Sequence, residues 1–118
     1  MFADFKDMSV WQKAKEVVIK TYHTCDGLPK HEQFALASQM RSAALSIPAN
    51  IAEGFGRQHT KDKINFYVYA RGSSFELRSH LECGIAVQYF AEEQTAELLA
   101  LCLSIEKELN FLIQHLRK

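Results

Sequence analysis

The chain has 118 residues, of which 47% are hydrophobic and 24% charged, and its 14 Lys and Arg balance 14 Asp and Glu. This composition is typical of a globular protein, and the length predicts a single domain, residues 1–118. A net charge of zero excludes the strongly basic footprint of many nucleic-acid-binding domains.

The first half of the chain predicts two helices, at residues 9–25 and 31–54. Ser9 is placed to cap the first helix, and the turn at residues 26–29 separates the two. Pro48 lies inside the second helix, where proline removes a backbone hydrogen bond, and Gly54 is placed to end it. The apolar positions that recur at helical spacing are Val10, Ala14, Val17 and Thr21, then Phe34, Ala37, Met40, Ala44, Ile47 and Ile51.

The second half predicts helices at residues 60–90 and 94–117. Thr60 is a candidate cap for the third helix, and Gly72 lies in its middle, where small residues allow another backbone to come close. A crossing of two helices inside the monomer would explain Gly72 without requiring a partner chain. The apolar stripes contain Ile64, Tyr67, Ala70, Leu77, Leu81 and Ile85, then Leu98, Cys102, Ile105, Leu109, Leu112 and Leu116.

No segment has the alternating pattern of a strand, and the predicted connections are short. Short connections make neighbouring helices antiparallel, so the pattern predicts an all-α, up-down-up-down antiparallel four-helix bundle. The apolar faces of the first and fourth helices are wider than one bundle needs, which favours further burial in an oligomer.

Polar residues interrupt the predicted helices at positions where burial is costly. A buried charge persists when it is paired, so Glu53 and Glu76 are expected to meet Arg41, Arg57 or Arg71. The simplest interpretation is a structural network that fixes the helix register, and the alternative is a subunit or RNA interface. The network as predicted contains Arg41, Asn50, Glu53, Arg71, Ser73 and Glu76.

A small basic patch precedes several aromatic residues at the start of the third helix. Arg57, Lys61 and Lys63 are candidates for contacts with nucleic-acid phosphates. A solvated helix start explains these residues equally well. Repetition of the patch around an oligomer would strengthen any contact through multivalency.

The sequence does not favour an enzyme, a cofactor or a metal site. The three cysteines, Cys25, Cys83 and Cys102, are widely spaced, which predicts reduced thiols. Glu76 and His80 lack the second matching pair that a di-metal bundle uses. We expect no membrane contact, because no run approaches the roughly 18 apolar residues of a membrane span. The first seven residues do not resemble a signal peptide, so a cytoplasmic location is expected.

Four segments carry a resemblance to a known family. Residues 10–14 (VWQKA) resemble its opening motif, and residues 39–44 (QMRSAA) resemble a second segment. Residues 46–54 (SIPANIAEG) are similar to its longest signature, and residues 70–77 (ARGSSFEL) to a further block. The family is the four-helix-bundle family encoded in intervening sequences of bacterial 23S rRNA genes, often labelled a ribosomal protein.

This resemblance implies a homopentamer of four-helix bundles with no established enzymatic activity. It also implies kinship with the accessory variability proteins of diversity-generating retroelements, which are basic pentamers that bind nucleic acid. The neutral charge of this chain departs from that relative. The resulting hypothesis is a non-catalytic homo-oligomeric scaffold with rRNA or another nucleic acid as partner, and the alternative is a protein–protein interaction module without a nucleic-acid role.

Overall fold

A computed structural model describes residues 2–118, and Met1, although part of the predicted domain, lies outside the described residues. Within residues 2–118 the chain forms helices and no strand, which confirms the all-α class. The four α-helices are α1 (Ser9–Asp26), α2 (Leu36–Gly56), α3 (Thr60–Ala86) and α4 (Glu92–Leu116). Short 3-10 turns at Phe5–Asp7 and Lys30–Glu32 precede α1 and α2.

The helices form a bundle in which sequence neighbours are also neighbours in space. α1 packs against α2 and α4, and α3 packs against the same two helices, with α2–α3 the most extensive pair. Within the described chain the diagonal pairs α1–α3 and α2–α4 make no contact between Cα atoms. The bundle measures 45 × 22 × 20 Å, and none of its helices, over residues 2–118, is both long and apolar enough to cross a membrane.

The core consists of the apolar stripes that the helical spacing predicted. Each helix contributes side chains with almost no exposed surface, because residues three and four apart share one face. Ser9 and Thr60 are the first residues of their helices rather than the caps, which are Met8 and His59. The largest buried apolar side chains are Val10, Val17, Met40, Ile47, Ile51, Leu77, Leu81, Ile105, Leu109 and Ile113.

Helix α2 begins at Leu36, five residues later than predicted, because side chains hold the preceding segment across the end of the bundle. Glu32 accepts hydrogen bonds from the Leu36 backbone N–H (3.3 Å) and from the Tyr89 hydroxyl (2.7 Å). The Gln33 amide donates to the carbonyls of Cys25 and Leu28. The prediction that Phe34 belongs to the apolar face of this helix was wrong, since its side chain is 94% exposed and lies outside the core.

Helix α3 ends at Ala86 rather than near residue 90, because the chain enters a left-handed turn. Gln88 has φ 67°, and its N–H donates to the Ile85 carbonyl (2.9 Å). The Tyr89 N–H donates to the Gly84 carbonyl (2.9 Å), which completes a Schellman motif. A Cβ at Gly84 would overlap the Phe90 ring, so this glycine allows the turn to fold back on α3.

The Glu32–Tyr89 contact predicts a pH dependence of stability. The Tyr89 hydroxyl, with the Leu36 N–H, lowers the pKa of Glu32 below its ordinary value of 4.5. A lowered pKa in the folded state contributes stability that is present above the ordinary pKa and is lost as pH falls through the lowered value. We expect Glu32→Gln to melt at a lower temperature than wild type at neutral pH. Its melting temperature should fall less than that of wild type on acidification.

The measurement is the melting temperature of both proteins from pH about 7 down to about 3, the range in which carboxylates titrate. Glu16→Gln is the control, since Glu16 is exposed on α1 and its carboxylate makes no hydrogen bond to the described residues. The prediction would be contradicted if the melting temperatures of wild type and Glu32→Gln differed by the same amount at every pH in this range.

Candidate functional site

The outer sides of α2 and α3 form a shallow surface of small and apolar residues, which we call the α2/α3 surface: Leu45, Ala49, Tyr69 and Gly72. Leu45 and Tyr69 are 46% and 58% exposed. A Cβ built on Gly72 would have no side-chain atom within 4 Å in the described chain. Space is therefore open at Gly72, and each of the two helices exposes an apolar side chain.

Polar side chains at the junction of α2 and α3 are hydrogen-bonded to one another. The Asn50 amide donates to the Ser46 carbonyl (2.8 Å) and to its hydroxyl oxygen (3.0 Å). The Ser73 hydroxyl donates to the Ser46 hydroxyl oxygen (2.8 Å), which ties α3 to α2. Of the predicted network, Asn50 and Ser73 are thus brought together through a serine that the sequence analysis did not single out.

The two carboxylates predicted to be buried are exposed. The Glu53 side chain is 56% exposed and pairs with Arg57 one turn later (3.2 Å). The Glu76 side chain is 52% exposed and contacts His80 in the same way (3.2 Å). Both lie on the outer side of their helices, so the expected burial was wrong; Glu53 meets Arg57, one of the expected partners, whereas Glu76 meets His80 instead of an arginine.

The two remaining arginines of the predicted network make separate contacts. Arg41 donates to the side-chain oxygen and the backbone carbonyl of Gln33 (3.3 and 3.2 Å), which fixes the α1–α2 connection. Arg71 donates to the Asn110 side-chain oxygen (2.6 Å) and joins α3 to α4. The six predicted residues therefore do not form one cluster: Arg71 and Ser73 join two helices each, whereas the others form hydrogen bonds or ion pairs with residues nearby in the sequence.

The basic candidates for phosphate contacts have different surroundings. The Lys63 ammonium donates to the carbonyls of Gly54 (3.2 Å) and Phe55 (2.8 Å), so it caps the end of α2. Arg57 pairs with Glu53 and lies over the Phe66 ring, 4.6 Å from its centroid. Lys61 is exposed and forms no ion pair with any of residues 2–118.

A buried charged cluster between α3 and α4 was missed by the sequence analysis. The Glu106 carboxylate, whose side chain is 7% exposed, accepts two hydrogen bonds from the Arg78 guanidinium (2.7 and 2.8 Å). It also accepts one from the Ser74 hydroxyl (2.8 Å). Residue 106 follows buried Ile105 and lies four residues after Cys102, so the helical spacing already placed it beside the core.

The two buried thiols, Cys25 and Cys102, are not activated nucleophiles. Burial raises the pKa of Cys102 to about 11 and also raises the pKa of Cys25, so both stay protonated at neutral pH. Cys83 is exposed on α3. Across residues 2–118 no three His, Cys, Asp or Glu side chains are grouped as metal ligands, and Glu76 with His80 is an isolated pair.

Comparison with known proteins places this fold and these motifs in one family. The model of the 23S rRNA-intervening sequence protein family matches residues 6–111. A crystal structure of a protein of unknown function from the S23 ribosomal protein family of Bacteroides thetaiotaomicron is similar, with a TM-score of 0.82 and 27% sequence identity. The alignment covers 88% of this chain and 97% of that protein. No curated protein matches the sequence. The chain belongs to the 23S rRNA-intervening sequence protein family.

Proposed function

We propose that the protein is a non-catalytic, cytoplasmic helical scaffold that acts as a homo-oligomer and uses the α2/α3 surface as a contact between subunits. The observation that carries this proposal is Gly72. It lies at an exposed position in the interior of α3, where glycine costs about 1 kcal/mol relative to alanine. No contact within the described chain requires a glycine there. The close approach of a second chain supplies the missing reason.

The surroundings of Gly72 support a protein contact. Leu45 and Tyr69 expose apolar surface on the two helices, while Ser46, Asn50 and Ser73 are hydrogen-bonded to one another. A subunit could cover this surface and leave those hydrogen bonds in place. In a closed ring, the α2/α3 surface of one subunit must meet a different patch on the next subunit. Ile19 on α1 and Phe111 on α4 are exposed apolar side chains that could form such a patch. The family resemblance implies that the ring is a pentamer.

A bulky side chain at Gly72 tests the proposal. Gly72→Gln introduces a good helix former into open space, so each chain should keep its helicity, while the side chain blocks the approach of a neighbour. We expect wild type to have the mass of five chains by light scattering after gel filtration and the variant to have a lower mass. Ala96→Gln, an exposed substitution on α4, is the control and should keep the wild-type mass.

Either of two results would contradict the proposal. The first is a wild-type protein with the mass of one chain at all concentrations. The second is a Gly72→Gln variant that stays fully helical and keeps the wild-type mass.

Nucleic-acid binding is the second candidate function, and exposed Lys61 is the observation that favours it. Arg57 and Lys63 would add positive charge at the same end of the bundle, although one is paired with Glu53 and the other caps α2. Anisotropy of a labelled, structured rRNA-derived RNA across a salt series tests this function. Binding that falls steeply with salt and is lost in Arg57→Ala/Lys61→Ala would support phosphate contacts, and no binding at low salt would favour a purely protein-binding scaffold.

A further inference from the structure

An apolar cleft lies at the end of the bundle where α2 and α4 end and α3 begins; we call it the basal cleft. Its apolar walls come from Phe55, Leu112 and Leu116, and the N-terminal residues Phe2 and Met8 close one side. Its volume is ≈ 360 Å³. Small-molecule sites span roughly 300–1,000 Å³, so the cleft suits a small ligand.

Three polar side chains line the same cleft, and none of its described lining residues is a carboxylate. The Lys63 ammonium has three N–H groups, of which two donate to the Gly54 and Phe55 carbonyls, so a third is left to donate. Tyr67 is only 5% exposed, and its hydroxyl makes no hydrogen bond to any of residues 2–118. Burial raises the pKa of Tyr67, which therefore remains a neutral hydrogen-bond donor at neutral pH. His115 adds an exposed imidazole.

We propose that the basal cleft binds a small amphipathic monocarboxylate, with the apolar tail between Phe55 and Leu112 and the carboxylate facing Lys63 and Tyr67. One lysine cation balances one negative charge. The free ammonium N–H and the phenol O–H match the two oxygens of a single carboxylate. The apolar walls supply the favourable burial of the tail.

The role of Lys63 at the end of α2 explains only part of this arrangement. Capping accounts for the position of the ammonium, because lysine often bonds the last carbonyls of a helix. It does not account for Tyr67, a nearly buried side chain of the cleft lining whose hydroxyl has no partner among residues 2–118 and keeps access to solvent. A ligand oxygen entering the cleft would replace water at that hydroxyl.

Calorimetric titration with decanoate, kept below its micelle concentration, tests the proposal. We expect saturable binding of one decanoate per chain and clearly weaker binding of decanol, which has the same tail without the charge. Amide shifts in NMR spectra should concentrate at Lys63, Tyr67 and Leu112.

Two variants separate ligand contacts from folding. Tyr67→Phe removes only the hydroxyl, which makes no internal hydrogen bond, and should weaken decanoate binding about tenfold while leaving the melting temperature close to wild type. Leu116→Trp places a larger side chain in the cleft near the end of α4 and should reduce binding further. Tyr22→Phe is the matched control, since Tyr22 is exposed on α1 and does not line the cleft, and should bind decanoate as wild type does.

The proposal is overturned by absence of decanoate binding at millimolar concentration, by equal affinity for decanol, or by a Tyr67→Phe variant with unchanged affinity. Shifts spread over the exposed helix faces, without saturation at one per chain, would also overturn it.

Discussion

Arg78→Met is expected to lower the free energy of unfolding by about 3 kcal/mol, since removing one partner of a buried ion pair leaves an uncompensated charge. The Glu106 carboxylate would keep only the Ser74 hydroxyl as a hydrogen-bond donor. Methionine preserves much of the apolar length of arginine, so the lost guanidinium dominates the effect. The measurement is urea unfolding followed by far-UV circular dichroism at neutral pH and one fixed chain concentration.

A second substitution identifies the cause. Adding Glu106→Leu to Arg78→Met removes the stranded charge, so the double variant should recover most of the lost stability. Arg57→Met is the matched control, because Arg57 also pairs with a glutamate, but both side chains are about half exposed. Such exposed pairs contribute about 0.3–0.5 kcal/mol. If Arg78→Met and Arg57→Met lowered the free energy of unfolding equally, the loss could not be assigned to a buried Glu106 charge.

The contrast between these two ion pairs shows where the sequence was informative. Helical spacing predicted the core, because burial repeats every three to four residues and the apolar stripes record it directly. The same spacing applied to charged residues would have placed Glu106 on the buried face with Cys102 and Leu109, and Glu53 on the outer side of α2. The expectation that Glu53 and Glu76 are buried rested instead on polar residues within apolar segments, and both side chains are exposed.

The helix ends were less predictable because they depend on contacts between distant segments. Glu32 holds the start of α2 only because Tyr89, from the other connection at that end of the bundle, donates to it. Gln88 adopts a left-handed conformation that glycine usually takes, so its sequence carries no stop signal. The Glu32–Tyr89 contact joins residues 57 positions apart, and the turn at Gln88 lacks the usual glycine, so local propensity reports neither.

The basic patch shows the same limit at the candidate site. Arg57, Lys61 and Lys63 are close in sequence, and their spacing alone suggested a common phosphate-binding role. In the folded chain Lys63 turns to the last carbonyls of α2, and Arg57 lies over an aromatic ring. Which cation remains available therefore depends on the turn between α2 and α3, a feature of the tertiary structure.

Gly54→Ala is the second substitution for which we expect a large effect. Gly54 is helical rather than the left-handed stop expected from the sequence, since no glycine in residues 2–118 has a positive φ. A Cβ at this position would lie 2.7 Å from Cε1 of Tyr67 and 3.2 Å from the Phe66 Cβ. Tyr67 is held in the core and cannot easily move aside, so α2 and α3 would have to separate.

We expect Gly54→Ala to destabilise the protein by about 2 kcal/mol, within the usual cost of overpacking and despite the helix propensity gained. Gly27→Ala is the control, because its φ is −83° and its Cβ would meet only ordinary contacts, so its effect should stay within about 0.5 kcal/mol. Both are measured by urea unfolding. Tyr67→Ala should cost less in the Gly54→Ala background than in wild type, because removing the ring relieves the overlap. Stabilisation by Gly54→Ala would show that α2 and α3 do not approach each other at this glycine.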